Sequence, residues 1–343
     1  MPLMTIAEAL RQAMREELRR DERVFCIGED IGVAGGFGGA FTVTLGLSDE
    51  FGHERILDTP ISEIAIAGVA IGAALAGLRP IADVQYGDFL FCMMDQLANQ
   101  AAKMRYMSGG QVSVPLVMRA PVGATARGAQ HAQSLEAFFT HIPGLKVLAP
   151  STAYDAKGLL KSAVRDDNPV IIFEHKLLYG SKGARSERGA VSSAGEVPDE
   201  EYLVPIGKGI VRREGSDVTI VAKLLTLYRA LAAAEELASD GISAEVIDPR
   251  TLVPLDKDLI LSSVRKTGRL VIVEEDNLTG GWAAEIAAIA SDEAFAWLDA
   301  PIKRVSAPDV PPPFAPKLEA HYVPSVERVV AAVRAVMGKP YAN

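Results

Sequence analysis

The chain has 343 residues, a formal net charge of −9, 49% hydrophobic and 23% charged residues, and two cysteines. That length exceeds one compact core and predicts two domains, and the acidic balance argues against a nucleic-acid or anionic-membrane surface. Cys26 and Cys92 have no cysteine neighbour in a metal-type spacing, which predicts a reducing, cytoplasmic setting.

The start, "MPLMTIAEAL", lacks a basic stretch followed by an apolar core, so no secretory signal is predicted. Residues 4–20 carry helical periodicity with a charged face. "VFCIG" (24–28) reads as a buried strand, and the glycine-rich "GVAGGFGGAF" (32–41) as a mobile or ligand-facing loop. Thr59 is placed to cap the following helix with Pro60 at its first position. Residues 64–78 are the most apolar run; too short to span a bilayer and rich in small residues, they predict a buried helix. Strands are then expected at 80–86, 115–120, 145–150 and 169–175, with helices at 89–107 and, capped by Ser151, over "TAYDAKGLLKSAVRDD". Alternating strands and helices imply a parallel sheet covered on both faces.

The pattern breaks at 176–205, a polar stretch rich in Gly, Ser and mixed charge that reads as linker and exposed loop. Alternation resumes with strands at 217–223, 242–248, 269–275 and 302–308 and helices near 226–239, 256–266 and 281–293, which predicts a second, smaller α/β domain. "PDVPPPFAP" (308–316) reads as a rigid extended stretch, followed by a short helix, and no internal repeat is visible. The expected organisation is a domain over 1–180, a linker over 181–205 and a domain over 206–343, each a three-layer α/β unit with a mostly parallel sheet.

Three places carry candidate chemistry. Glu63 stands alone between a proline turn and an uncharged run that lasts to Arg79. It reads equally as a carboxylate favoured by a helix dipole or as a buried acid with a raised pKa that shares a proton with a ligand nitrogen. His131 lies among small and amide residues in a loop after a strand, where α/β folds carry their sites. The five histidines show no metal-ligand spacing, and there is no Walker loop or Gly-x-Ser-x-Gly elbow. "GGFGGA" lacks the strand-then-helix setting of a dinucleotide fingerprint.

"DTPISE", "AAKMRYMSGG", "AQHAQS", "PGLKVLAPSTAYDAKGLL", "DNPVIIFEHKLLY", "DVTIVA", "VIDPRTLVPLD" and "KTGRLVIVEE" occur in that order. Together they resemble the beta subunit of the thiamin-diphosphate-dependent 2-oxo acid dehydrogenases, the decarboxylating component of pyruvate, branched-chain and acetoin dehydrogenase complexes. The resemblance runs from about residue 4 to 335. It implies a transketolase-like pyrimidine-binding domain, a transketolase-like C-terminal domain and an alpha chain as partner, in a two-alpha, two-beta assembly. It also implies a lipoyl acyltransferase partner and a 2-oxo acid or acetoin as substrate.

By the same resemblance, Glu63 hydrogen-bonds the aminopyrimidine of thiamin diphosphate, which turns the exocyclic nitrogen into a base. Ile61 and Phe89 pack near that ring, although a core aromatic opening a helix would look the same. His131 moves protons during reductive acylation of the lipoyl group. Leu116, Ala163, Val164, Asp166 and Asn168 match positions that hold a structural potassium ion in some relatives; a polar turn at a helix end is the plainer account of "AVRDDNP". Diphosphate and magnesium in this enzyme class are held by a Gly-Asp-Gly segment followed by Asn, and this chain has none; "YGDF" comes nearest. The alpha chain is therefore expected to supply the magnesium site. A non-catalytic scaffold paralogue and a homodimeric transketolase-like enzyme are the alternatives, the second disfavoured by the missing segment. Two departures stand out: Lys223–Leu224, where relatives carry a small pair, and an insertion over 181–195.

Overall fold

The computed structural model describes residues 1–33, 36–180 and 190–338; residues 34 and 35 of the glycine-rich loop and 181–189 of the expected linker and insertion lie outside that range. The strands are, in chain order, β1 (Leu3–Met4), β2 (Val24–Glu29), β3 (Ile56–Thr59), β4 (Arg79–Asp83), β5 (Val117–Val122), β6 (Lys146–Leu148), β7 (Val170–His175), β8 (Gly195–Glu196), β9 (Ile210–Arg213), β10 (Val218–Ala222), β11 (Ala244–Asp248), β12 (Thr251–Val253), β13 (Leu270–Asn277) and β14 (Lys303–Ala307). Among the described residues they form a seven-stranded sheet, β12-β6-β7-β5-β4-β2-β3, and a five-stranded sheet, β14-β13-β10-β11-β9. Both are parallel except at the edge strands β12 and β9. The central strands β5, β7, β10 and β11 are buried along their whole length, as sheets covered on both faces require.

The two halves interlock. β12 follows residue 205 in the chain, yet it pairs antiparallel with β6 of the first sheet. Asp155, in the first turn of the helix Ala153–Arg165, receives Arg212 and Arg250 from the second half. β1 and β8 form a separate antiparallel pair, Leu3 against Glu196, so part of the stretch expected to be linker is strand. Leu177, Leu178, Val197 and Val204 of that stretch are buried, because they pack over the N-terminal helix Ile6–Arg20 and its partners.

Other local expectations are corrected. The helix after β3 begins at Glu63, not Pro60; Ser62 precedes it without a capping side chain, and Thr59 belongs to β3, opposite Glu29. Strand pairing holds Thr59 extended, which leaves Pro60–Ser62 as a short connection. Thr152, not Ser151, caps the helix Ala153–Arg165 by accepting from the Asp155 amide. Ser151 instead accepts the Leu224 amide at 2.9 Å, a contact between halves that sequence spacing cannot reveal. Residues 87–107 wind successively as 3₁₀, π and α turns rather than as one helix. The apolar helix Glu63–Leu75 is buried only along Ile66, Ala67, Ala70, Ile71 and Ala74, while Ile64 and Val69 on its other face are exposed. Among the described residues no helix is long and apolar enough to cross a membrane.

Candidate functional site

In chain order β2, β3, β4 and β5 are successive, but in the sheet β3 lies to one side of β2 and β4 and β5 to the other. The chain therefore reverses direction beside β2. Crevices outside the carboxyl ends of strands at such a reversal are where open α/β sheets bind ligands. A cavity of about 310 Å³ lies there. Glu29 and Asp30 reach it from the end of β2, Ile61 and Glu63 from the end of β3, and Gln85, Tyr86 and Phe89 from beyond β4. His131 completes it from the loop after β5. Ile61, Glu63, Phe89 and His131, 70 residues apart in sequence at their extremes, thus line one cavity.

The wall is aromatic and interlocked. The His131 ring sits edge-on to Tyr86 at 4.8 Å and to Phe89 at 5.4 Å. Tyr86 contacts Phe41 at 5.8 Å, and Phe41 stacks on Tyr179 at 5.0 Å. Tyr179 donates to Glu174, which grips the buried Arg119 with both carboxylate oxygens; Arg119 also pairs with Asp83. The ring wall therefore rests on a charged cluster in the sheet below. Lys176, 1% exposed, donates to the His131 carbonyl and lies 5.1 Å over the Tyr86 ring.

The floor is acidic. Burial first, and then the neighbouring charges of Asp30, Glu63 and Asp58, push the Glu29 carboxyl above its ordinary pKa. The proton-holding acid expected at Glu63 thus has a counterpart at Glu29, which the sequence reading missed; it was visible only as the polar end of "VFCIGE". Glu63 is half-buried rather than buried, and Ile61 beside it is 76% exposed.

The charged side chains lining the cavity, Glu29, Asp30 and Glu63, are all acidic, so they repel a diphosphate and suit a cationic or proton-donating heterocycle. Asp88 of "YGDF" is buried and accepts from the Gln133 amide and side chain, so it holds the His131 loop. An aromatic wall, three carboxylates and no phosphate grip fit the pyrimidine half of thiamin diphosphate.

Residues 3–182 match the transketolase pyrimidine binding domain and residues 207–329 the transketolase C-terminal domain. The 2-oxoisovalerate dehydrogenase subunit beta of Bacillus subtilis (strain 168) is 48% identical over 97% of this chain and 98% of its own. The chain belongs to the E1 beta-subunit family of the 2-oxo acid and acetoin dehydrogenases. Within that family, the beta subunit of acetoin:2,6-dichlorophenolindophenol oxidoreductase of the same organism is 46% identical, covering 99% of both chains. The pyruvate dehydrogenase E1 component subunit beta of Rickettsia felis is 48% identical over 97% of this chain and 98% of its own. A solved split-gene transketolase, an inactive beta4 tetramer, superposes with a TM-score of 0.77 and 25% identity over 98% of both chains.

The family resemblance also pointed to Leu116, Ala163, Val164, Asp166 and Asn168 as potassium ligands. They gather where the helix Ala153–Arg165 meets β7, away from the cavity. The Val164 and Asp166 carbonyls accept from Arg79 at 3.0 and 3.1 Å, and Lys146 pairs with the Asp166 carboxylate. The Leu116 carbonyl accepts from Val170 at 2.8 Å. The oxygen-rich donor set suits a hard cation, but the protein's own cations already serve it.

Lys223 also finds its place. It is buried between the halves, 2.9 Å from Glu136 and 3.4 Å from Asp276. Burial first, and then the Asp276 charge, push Glu136 up to about 7, while Lys223 is raised, its burial outweighed by Asp276 and Glu136. One lysine faces more carboxylates than it can neutralise, so Glu136 and Asp276 hold a proton between them. Because the folded-state pKa of Glu136 is raised, its stabilising protonated form is present in acid and lost as pH rises from about 5 to about 7. Asp83 and Asp248, both near 6, act in the same direction. The melting temperature is therefore expected to be higher at pH 5.5 than at pH 7.5. Glu136→Gln is expected to flatten that dependence, by about 2 kcal/mol between pH 5.5 and pH 7.5. Parallel slopes for the two proteins would rule out the shared proton.

Proposed function

We propose that this chain is the beta half of a thiamin-diphosphate-dependent enzyme that decarboxylates a 2-oxo acid, or cleaves acetoin, and transfers the acyl group to a lipoyl arm. The observation that carries the proposal is the acid-floored, aromatic-walled cavity uniting Ile61, Glu63, Phe89 and His131. Residues 1–180 form the pyrimidine-binding domain and 206–343 the C-terminal domain, with 181–205 between them. When bound, the cofactor supplies the nucleophilic carbon and the electron sink for decarboxylation. Glu63 holds a proton at the pyrimidine ring nitrogen, Ile61 and Phe89 orient the ring, and His131 moves a proton at the substrate-facing side.

The diphosphate end and its magnesium fall to an alpha chain. The exposed apolar face around Ile61, Ile64 and Val69 is where a second chain would cover the site. Two alpha and two beta chains, with a lipoyl acyltransferase docking on the C-terminal domain, complete the assembly, in the cytoplasm. A potassium ion at residues 116 and 163–168 would be structural and would share the Val164 and Asp166 carbonyls with Arg79.

Thiamin diphosphate titrated into a mixture of this chain and its alpha chain, with magnesium, tests the proposal by calorimetry. Binding is expected with both chains and not with this chain alone. Association of the chains without cofactor binding would favour a scaffold instead. Pyruvate, branched-chain 2-oxo acids and acetoin, assayed with an artificial electron acceptor, then identify the substrate.

A further inference from the structure

Three consecutive acids stand near the end of β13, and Glu274, Glu275 and Asp276 are only 0%, 4% and 3% exposed. Three consecutive buried acids need three sets of partners. Glu274 accepts the Ala283 amide and the Ser306 hydroxyl, and Asp276 shares Lys223 with Glu136. Glu275 crosses to the first half of the chain. One of its oxygens accepts the Ala124 amide at 2.5 Å and the other lies 3.0 Å from Nε2 of His175. The Leu177 amide donates to Nδ1 of His175, so in the neutral ring Nε2 carries the hydrogen and donates to Glu275.

We propose that Glu275 is a positioning residue for His131. The loop from Gly123 to Leu135 carries His131 and begins at this contact. Gly123 has φ +96°, and a Cβ there would meet the His175 ring at 2.1 Å, so ring and loop are fitted to one another. Three residues on, Ala126 sits at φ +55°, an unfavourable backbone for alanine, with its amide donating to Glu319 at 2.5 Å. At the far end Glu136 is held by Lys223. The loop's own half contributes Asp88 to Gln133 and Lys176 to His131. The C-terminal half thus restrains the start, the bend and the end of a segment whose backbone would otherwise keep much of its conformational freedom. Glu275 touches neither the cavity nor its wall, and acts through the loop.

The proposal rests on the assignment of proton transfer to His131, and two measurements on the alpha–beta complex separate the two claims. In the first, Glu275→Ala is expected to lower amide exchange protection across 124–133 roughly tenfold, with Glu275→Gln, which keeps one acceptor, losing less. Unchanged protection in Glu275→Ala, or protection lost equally throughout the chain, overturns the proposal. In the second, lipoyl acylation is expected to fall about 10²-fold in Glu275→Ala, with turnover on an artificial acceptor within roughly threefold of wild type. The double variant with His131→Ala is expected to be no slower than His131→Ala alone. Additive losses overturn the positioning role. Normal acylation in His131→Ala overturns the role of His131, while the exchange result still decides that of Glu275.

Discussion

Glu63→Gln, in the complex with the alpha chain, is expected to lower cofactor-dependent turnover by at least ~10²-fold, the size of a lost acid–base contact. Glutamine keeps the length and the hydrogen-bonding capacity of Glu63 but cannot give or take up a proton at the pyrimidine nitrogen. Little destabilisation is expected, because Glu63 is half-buried at the first position of its helix and no hydrogen-bond partner in its own chain depends on it in the described structure. The decisive comparison is turnover against melting temperature. Near-normal turnover would remove Glu63 from the chemistry and leave Glu29, the neighbouring acid whose pKa burial raises, as the candidate.

Arg119→Met is expected to act on stability instead, by about 3–5 kcal/mol. Arg119 is 1% exposed at the centre of the larger sheet, bonded to Glu174 at 2.6 and 2.9 Å and paired with Asp83. Without the guanidinium two carboxylates are left buried together. Burial already lifts Asp83 to about 6 with Arg119 present, so the pair would have to take up protons near neutral pH. Adding Asp83→Asn and Glu174→Gln to Arg119→Met is expected to recover much of the loss, since a buried ion cluster replaced by matched neutral groups is often close to neutral in stability. Denaturant unfolding of the three proteins checks this. A loss below about 1 kcal/mol for the single variant would mean that the cluster is not a stabilising unit. The effect reaches the site through Glu174, Tyr179, Phe41 and Tyr86, so cofactor affinity is expected to weaken along with stability.

Alternating strands and helices, the break near 180–205 and the order of short motifs were legible in the chain itself, because strand and helix periods and turn residues are local properties. Glu63 and His131 could be singled out for the same reason: one is an isolated charge beside an apolar run, the other a polar residue in a loop after a strand. The absence of Gly-Asp-Gly was equally plain, and an acid-lined cavity agrees with it. Local signals misplaced both helix caps. Thr59 and Ser151 are good cap residues, but pairing with β2 claimed the first and the Leu224 amide claimed the second. His175 carries no local signal of its role, since its partners Glu275 and Gly123 lie 100 and 52 residues away.

The sequence by itself therefore determined the α/β class, the two halves and the family, all of which follow from periodicity and linear motif order. Only the tertiary structure decided which charges belong together. Lys223, just past the end of β10, became the counter-ion of Glu136 and Asp276; "EED" became three buried anchors; and Arg79 met the carbonyls at residues 164 and 166. The physical reason is that a buried charge has to be neutralised within a few ångströms, whatever the separation along the chain. Its partner is chosen by packing between distant segments, and linear spacing carries no record of that choice.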